Sequence, residues 1–198
     1  MPYSAMTTGT VKSLWRWPVL PLGGERLRTT RVDDRGVAGD RRHLLAGPHG
    51  PLTADDAPRL TAWRAEFPFN PDGAIVGRMP PYPIVHAPRG EGRYRWGDPR
   101  LRVRLERDAG MEIEFMRETS EAQPVVVAVA APDVEPRLAG VNVQLEIELP
   151  PGGWAGRELR FADGVRLRLV SSRADGPGIE TQVVVSGRSA IGEAVTLG

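Results

Sequence analysis

The chain has 198 residues, a formal net charge of +1, 26% charged residues and no cysteine. This length suits one large or two small cores, and the small charge creates no field that favours nucleic acid or an acidic membrane. The absence of cysteine excludes disulfides, thiolate nucleophiles, persulfide chemistry and cysteine-ligated metals. No apolar stretch is long enough for a secretory signal or a membrane span, so we expect a cytoplasmic protein. Lys12 is the only lysine, a bias typical of GC-rich bacterial genomes.

Glycine and proline interrupt the chain at the short intervals typical of β-rich folds. The fold class predicted from this rhythm is mainly β. Between the interruptions, short runs of apolar and polar residues predict strands at 10–19, 26–32, 40–46, 62–67, 83–87, 111–117, 123–131, 140–149, 179–187 and 194–198. Residues 47–51 are predicted to form a turn, and 118–124 a linker.

Residues 99–109 are predicted to form a short helix. Asp98 is a good N-cap, Pro99 suits the first helical position, and Gly110 suits the residue after the last turn. Residues 158–170 predict a β-hairpin, because two alternating runs flank Asp163-Gly164, a pair typical of type I′ turns.

Two stretches resemble the MOSC family, the domain found at the C-terminus of molybdenum cofactor sulfurases. They are "VKSLWRWPVLPLGGERLRTTRVDDRGVAGDRRHLL" (11–45) and "GVNVQLEIELPPGGWAGRELRFADGVRLRLV" (140–170). The resemblance implies a MOSC-like β-barrel fold of two subdomains, 1–118 and 119–198, with one or two short helices. It also implies that Asp40-Arg41-Arg42 begins a strand beside the cleft between the subdomains, where the family receives a phosphorylated pterin that carries molybdenum.

The chain departs from the family pattern at positions that serve this cofactor. If Arg173 matches the family's arginine, Ala174 stands in place of the cysteine that carries sulfur or ligates molybdenum. Leu20-Pro21 replaces a common Lys-Ser pair, and Asp55 and Asp56 add negative charge where relatives carry a basic residue. These changes weaken a phosphate anchor, so we predict no cofactor and keep the molybdenum cofactor as the alternative.

His43 and Asp55 are the predicted catalytic residues, and the predicted substrate-binding residues are Arg41, Thr53, Arg173 and Asp175. In a strand, alternation places Arg41 and His43 on one face. Each assignment has a plainer alternative: a packed strand histidine, a helix cap formed by Thr53 and the acids after it, and a solvated loop at 171–178. His49 and His86 have no partner at metal spacing, so a zinc site is not predicted.

The sequence therefore predicts a divergent MOSC-fold protein that binds a small organic ligand in the cleft between the subdomains. The predicted activity is metal-free acid–base catalysis of the isomerase, cyclase or lyase type in specialised metabolism. The alternatives are a molybdenum-cofactor or sulfurase-related protein and a non-catalytic binding module. The expected partner is a small molecule with a carboxylate or carbonyl group, with no nucleic acid and no membrane, and the oligomeric state is not predicted.

Overall fold

The computed structural model describes residues 7–68, 82–117, 124–129, 140–148, 153–172 and 178–198. The first strands are β1 (Thr7–Arg16), β2 (Val19–Leu20), β3 (Glu25–Leu27), β4 (Thr29–Asp33), β5 (Gly36–Val37), β6 (His43–Gly47), β7 (Gly50–Pro51), β8 (Arg64–Glu66) and β9 (Ile84–His86). After these come β10 (Arg93–Arg95), helix α1 (Pro99–Ala109), β11 (Glu114–Arg117), β12 (Val125–Val129), β13 (Val143–Glu146), β14 (Glu158–Phe161), β15 (Arg166–Ser172), β16 (Ile179–Val185), β17 (Gly187–Ala190) and β18 (Ala194–Leu197). Short 3-10 helices lie at Pro58–Ala62 and Pro88–Gly90. The fold is mainly β, as predicted.

Seven strands form a closed barrel in the order β1, β13, β12, β16, β15, β14, β18 and back to β1, and β3 pairs with the other end of β1. Neighbouring strands are antiparallel except for β12 and β13. In β15 the alternation predicted from sequence decides the inner face: Leu167 and Leu169 are buried, whereas Arg168 and Val170 are exposed. Closure of the sheet leaves the barrel strands without free edges.

A second hydrophobic core lies outside the barrel. Its sheets are β11-β6-β2, with β7 on β6, and β10-β9-β8, and α1 packs beside them. Trp63, Leu60, Leu101 and Leu105 are completely buried in this core. In a further small sheet, β17-β4-β5, a strand from the last part of the chain pairs with the two strands β4 and β5 from its N-terminal part.

The predicted helix is confirmed at 99–109. The Asp98 carboxylate accepts a hydrogen bond from the Arg100 N–H, and Gly110 takes a left-handed φ of 75° at the other end. Leu101 and Leu105 lie one turn apart on the buried face, whereas Val103 is 66% exposed. Capping and the 3.6-residue period thus prevail over the alternation of Leu101, Val103 and Leu105.

The hairpin of β14 and β15 is confirmed, but the predicted turn type is wrong. A type I′ turn needs positive φ at both central residues. Only Gly164 in this turn has positive φ, at 96°, and the Phe161 carbonyl accepts a hydrogen bond from the Gly164 N–H. The connection is therefore a three-residue loop, Ala162 to Gly164, with glycine at the position of a G1 bulge.

The strand predicted at 40–46 begins later, at His43. Asp40 and Arg41 form a turn before it, in which Arg41 has a left-handed φ of 51°. The premise that Arg41 and His43 share one face of a strand is therefore wrong. The predicted subdomain boundary at 118/119 and most of the predicted linker lie outside the described residues. No helix in the described ranges has the length and apolarity needed to cross a bilayer.

Candidate functional site

Charged residues are buried where the chain passes from one core to the other. Two segments, 15–18 and 38–42, connect residues of the barrel core with residues of the second core. The residues Arg16, Trp17, Glu25, Asp40, Arg41 and Asn142 meet at these crossings, and we call them the polar seam.

Arg41 holds the seam together through its guanidinium group. Its Nη2 donates to the Gly140 carbonyl at 2.6 Å and to Asn142 Oδ1 at 3.3 Å, and its Nη1 donates to the Pro124 carbonyl at 3.4 Å. Its Nε lies 3.2 Å from Asp40 Oδ2. Arg41 therefore binds the strand ends before β12 and β13, and its donors are used by the protein itself.

Asp40 is almost completely buried and carries the charge that Arg41 balances. Its Oδ1 accepts a hydrogen bond of 2.7 Å from the Trp17 N–H. Burial raises the pKa of the Asp40 carboxyl, while Arg41 and the Trp17 hydrogen bond act in the opposite direction.

A second buried pair lies beside this one. Arg16 Nε donates to Glu25 Oε1 at 2.8 Å, and Arg16 Nη1 donates to the Ala38 carbonyl at 3.2 Å. The guanidinium lies 4.7 Å from the centroid of the Phe67 ring. Since the Phe67 N–H donates to the same Glu25 oxygen at 3.3 Å, this pair connects the seam with the end of β8.

His43 begins β6 and lies in an environment that differs sharply from the seam. Its ring is completely buried and lies 5.1 Å from Trp96, 6.1 Å from Tyr82 and 6.3 Å from Phe67, measured between centroids. Trp96 stacks on Phe115 of β11 at 4.5 Å. We call these four aromatic residues with His43 and Arg117 the aromatic site.

Neither ring nitrogen of His43 forms a well-aligned hydrogen bond with the residues that the structure describes, and the Pro18 carbonyl makes only a weak hydrogen-bonding contact with the ring. Arg117 pairs with His43 across β11 and β6, and its guanidinium lies 5.5 Å from the Tyr82 ring centroid. Burial, helped by the positive charge of Arg117 and opposed by the Pro18 carbonyl, lowers the pKa of His43 to about 4. The imidazole is therefore neutral at pH 7, with one N–H donor and one nitrogen acceptor.

The other predicted site residues lie elsewhere or outside the described ranges. Thr53 and Asp56 form a reciprocal cap, in which Asp56 Oδ2 accepts from the Thr53 N–H at 2.8 Å and from its hydroxyl at 2.7 Å. The contacts have the pattern of the capping alternative, but they close a turn at 54–56 and not a helix, because the next helix begins at Pro58 with Ala57 as its N-cap. Asp56 is the acid that Thr53 binds. Asp55 is exposed on the same turn. Arg173 and Asp175 lie outside the described residues.

Sequence reasoning did not find the partners of His43. Phe67, Trp96 and Arg117 come from three separate segments, and nothing in their local patterns indicates that they meet. The available signal was the density of aromatic residues in the segments that form the second core.

The residues present do not fit a molybdenum centre ligated by the protein. The chain has no cysteine and thus no thiolate ligand. Arg41, which the resemblance places beside the cofactor cleft, uses its donors on backbone and side-chain oxygens of the seam. Within the described ranges, no three His, Asp or Glu residues are grouped so that they could hold a metal ion.

Comparison with known proteins gives one family match. Residues 8–86 match the model of the MOSC N-terminal beta barrel domain. The search of curated proteins gives no match. Among solved structures, the chain is similar to the YUAD protein from Bacillus subtilis, with 11% identity, a TM-score of 0.46, and coverage of 97% of this chain and 96% of that one. A likeness at this level is too low to indicate a function.

The matched residues run from the first barrel strand through the polar seam and His43 to β9. They include both crossings between the two cores and the stretch 11–45 that resembles the family. Residues 8–86 of the chain are therefore similar to the MOSC N-terminal beta barrel domain, in agreement with the resemblance found in the sequence.

Proposed function

We propose that this protein binds a small, planar organic acid in the aromatic site and that His43 exchanges a proton with it without a metal. The observation that carries the proposal is the His43 ring: it is completely buried, and neither nitrogen has a well-aligned hydrogen-bond partner among the described residues. The match to the MOSC N-terminal domain is compatible with this proposal but does not specify a ligand.

Burial of an imidazole without a hydrogen-bond partner lowers the stability of the folded chain. A buried donor or acceptor without a partner costs about 1–3 kcal/mol, and an apolar residue of similar shape avoids that cost. An oxygen atom of a bound ligand can supply the missing partner. The arrangement thus favours a ligand with a carbonyl or carboxylate group, which is the class that the sequence predicted.

The surroundings of His43 favour a flat molecule with negative charge. The three rings around the imidazole, Phe67, Tyr82 and Trp96, offer faces and edges against which a conjugated ligand can pack. Arg117 is the cation beside the imidazole, and a guanidinium binds a carboxylate with two parallel hydrogen bonds. Tyr82 is 60% exposed and extends from the imidazole to the surface, so its movement would admit a ligand.

These groups can carry out proton transfer at a carbon next to a carbonyl. The neutral imidazole accepts the proton as the C–H bond breaks, and the electron pair moves to the carbonyl oxygen, where Arg117 balances the enolate charge. The negative charge of a bound acid raises the pKa of His43 and makes the imidazole a stronger base at neutral pH. Isomerisation, cyclisation and elimination can all begin with this step.

The proposal is tested by exchange of the C3 protons of phenylpyruvate for deuterium in D2O, followed by proton NMR. We expect the protein to accelerate this exchange and His43→Gln to reduce the acceleration by about 10²- to 10⁴-fold, the range for a positioned acid–base group. The matched control is His49→Gln, because His49 is exposed in a turn and its loss should leave the rate unchanged. Equal rates for the protein and for His43→Gln would contradict the proposal.

Binding is measured separately with benzoate and with its non-planar analogue cyclohexanecarboxylate. We expect benzoate to bind more tightly than the analogue, and His43→Gln and Arg117→Met to weaken benzoate binding. Benzoate binding that depends on both residues, without any accelerated exchange, would favour the non-catalytic binding module instead.

A further inference from the structure

The outer face of the sheet β8-β9-β10 carries a cluster of charged residues that is separate from the aromatic site. Ala65 and Val85 point into the second core, so their neighbours along the strands point to the other side. The strand register places Arg64, His86 and Arg93 in one row across the three strands, and Glu66, Ile84 and Arg95 in the next row.

Glu66 holds His86 in position on this face. His86 Nε2 lies 2.9 Å from Glu66 Oε1, and Glu66 Oε2 lies 3.0 Å from Arg64 Nη2. An ionised carboxylate only accepts hydrogen bonds, so His86 donates through Nε2 and its Nδ1 remains available. The His86 side chain is 25% exposed, so a ligand can reach that nitrogen.

The same face has an excess of positive charge. It carries three arginines, Arg64, Arg93 and Arg95, against the single carboxylate of Glu66. Directly opposite residues in such a sheet have Cβ atoms about 4.5–5.5 Å apart, so their side chains can bind one ligand together. His86 has an arginine opposite it on both sides, and in the described part of the chain neither Arg93 nor Arg95 forms an ion pair. An anion beside His86 and Arg93 would balance this excess of positive charge.

We propose that this face is a second binding site, in which His86 and Arg93 bind a phosphoryl dianion. The two excess positive charges match the charge of a phosphate monoester or of free phosphate at slightly alkaline pH. Arg93 supplies a planar fork of donors for two phosphate oxygens, and a proton taken up from water on binding is held between His86 Nδ1 and a third oxygen. Glu66 is the positioning residue, because it fixes the imidazole through Nε2.

The experiment uses the intact protein labelled with ¹⁵N, at constant ionic strength and about pH 7.5. Inorganic phosphate and phenyl phosphate are titrated separately, and the imidazole resonances of His86 are followed. We expect both probes to shift these resonances in a saturable way. Tighter binding of inorganic phosphate would identify the ligand as the free ion, and tighter binding of phenyl phosphate would identify it as a phosphate ester. Acetate, which has one negative charge, should bind at least about tenfold more weakly.

The matched variants are Arg93→Gln and Arg95→Gln, which remove the same charge from the same strand and face. We expect Arg93→Gln to weaken binding of the better probe at least about tenfold, and Arg95→Gln to weaken it less than about threefold, because Arg93 is opposite His86 whereas Arg95 is opposite Ile84. Both residues are exposed, so the fold should be retained, which the remaining amide resonances report. Equal weakening by the two variants, or no saturable shift of His86 with either probe, would overturn the proposal.

Discussion

Arg41 and His43 are two residues apart in the chain, yet they lie in opposite chemical environments. The guanidinium of Arg41 contacts two carbonyls, an amide oxygen and a carboxylate. The imidazole of His43 has aromatic rings around it and no well-aligned hydrogen-bond partner among the described residues. Both side chains are buried, so burial alone does not distinguish a structural residue from a functional one.

The two residues differ in whether their polar side-chain atoms have hydrogen-bond partners within the described part of the chain. The Arg41 contacts hold the crossings between the two cores in place, and a ligand would have to displace them in order to bind there. Within the described residues the His43 nitrogens have no such contacts to lose, so a ligand oxygen can bind there without displacing them. This contrast is why the proposed function uses His43 and Arg117 and does not require Arg41.

The largest expected effect on stability comes from replacing Arg41, whose guanidinium has several hydrogen-bond partners. We expect Arg41→Met to lower the free energy of unfolding by about 3–5 kcal/mol, because it leaves the Asp40 carboxylate buried without its charged partner. Urea denaturation measures the change. The matched control is Arg42→Met, one residue further along and partly exposed, where we expect a change within about 0.5 kcal/mol. Similar values for the two variants would show that Arg41 does not hold the seam.

The next effect is the pH dependence that His43 adds to stability. Its pKa is about 4 in the folded chain, against an ordinary value of 6.5. Between these values the unfolded chain binds the proton and the folded chain does not, so stability is lost as the pH falls from about 7 to about 4. The difference between the two pKa values corresponds to roughly 3 kcal/mol.

This pH dependence is measured as the difference between the protein and His43→Phe in urea unfolding at pH 7 and pH 4. Glu25 and Asp40, whose pKa values burial raises, also titrate, but their contributions cancel in that difference. If the free energy of unfolding changed by the same amount between pH 7 and pH 4 in the two proteins, His43 would be protonated as readily in the folded chain as in the unfolded chain.

At pH 7, His43→Phe tests the second residue of the comparison, whose ring nitrogens lack well-formed hydrogen bonds among the described residues. We expect the free energy of unfolding to rise by about 1–3 kcal/mol, because phenylalanine fills the aromatic site without an unpartnered donor or acceptor. The catalysed proton exchange should be lost at the same time.

The control for His43→Phe is Gln144→Leu, which removes a buried polar group that does have a partner. Gln144 Oε1 accepts a hydrogen bond of 3.0 Å from the Ser13 hydroxyl, so its loss should lower stability by about 1–3 kcal/mol. A loss of stability in both variants would indicate that His43 is satisfied within the folded chain.

The smallest expected effect concerns Asp55, the other predicted catalytic residue. Asp55 is exposed on a surface turn, whereas the imidazole of His43 is buried. We therefore expect Asp55→Asn to reduce the exchange of phenylpyruvate protons less than about tenfold. Asp56→Asn on the same turn is the matched control. A reduction by Asp55→Asn as large as that of His43→Gln would assign Asp55 to the same reaction.

The elements that the sequence predicted well are those whose signals are local. Asp98 and Gly110 bound the helix because each acts on backbone groups within one turn. The hairpin at 158–170 was found because both strands alternate around a short loop. Its turn type was not, since Asp-Gly also suits a three-residue loop, and the path of the flanking strands decides between the two.

The environments of the Arg41 and His43 side chains could not be predicted from the neighbouring residues in the chain. The partners of Arg41, Gly140 and Asn142, are 99 and 101 residues away, and the rings around His43 come from separate segments. The sequence by itself determined a β-rich chain with one capped helix, a MOSC-like N-terminal half and no cysteine chemistry. Tertiary structure alone decided that Arg41 has hydrogen-bond partners and that His43 has none of comparable quality among the described residues, because hydrogen bonding in a buried site depends on which distant segments the packed cores bring together.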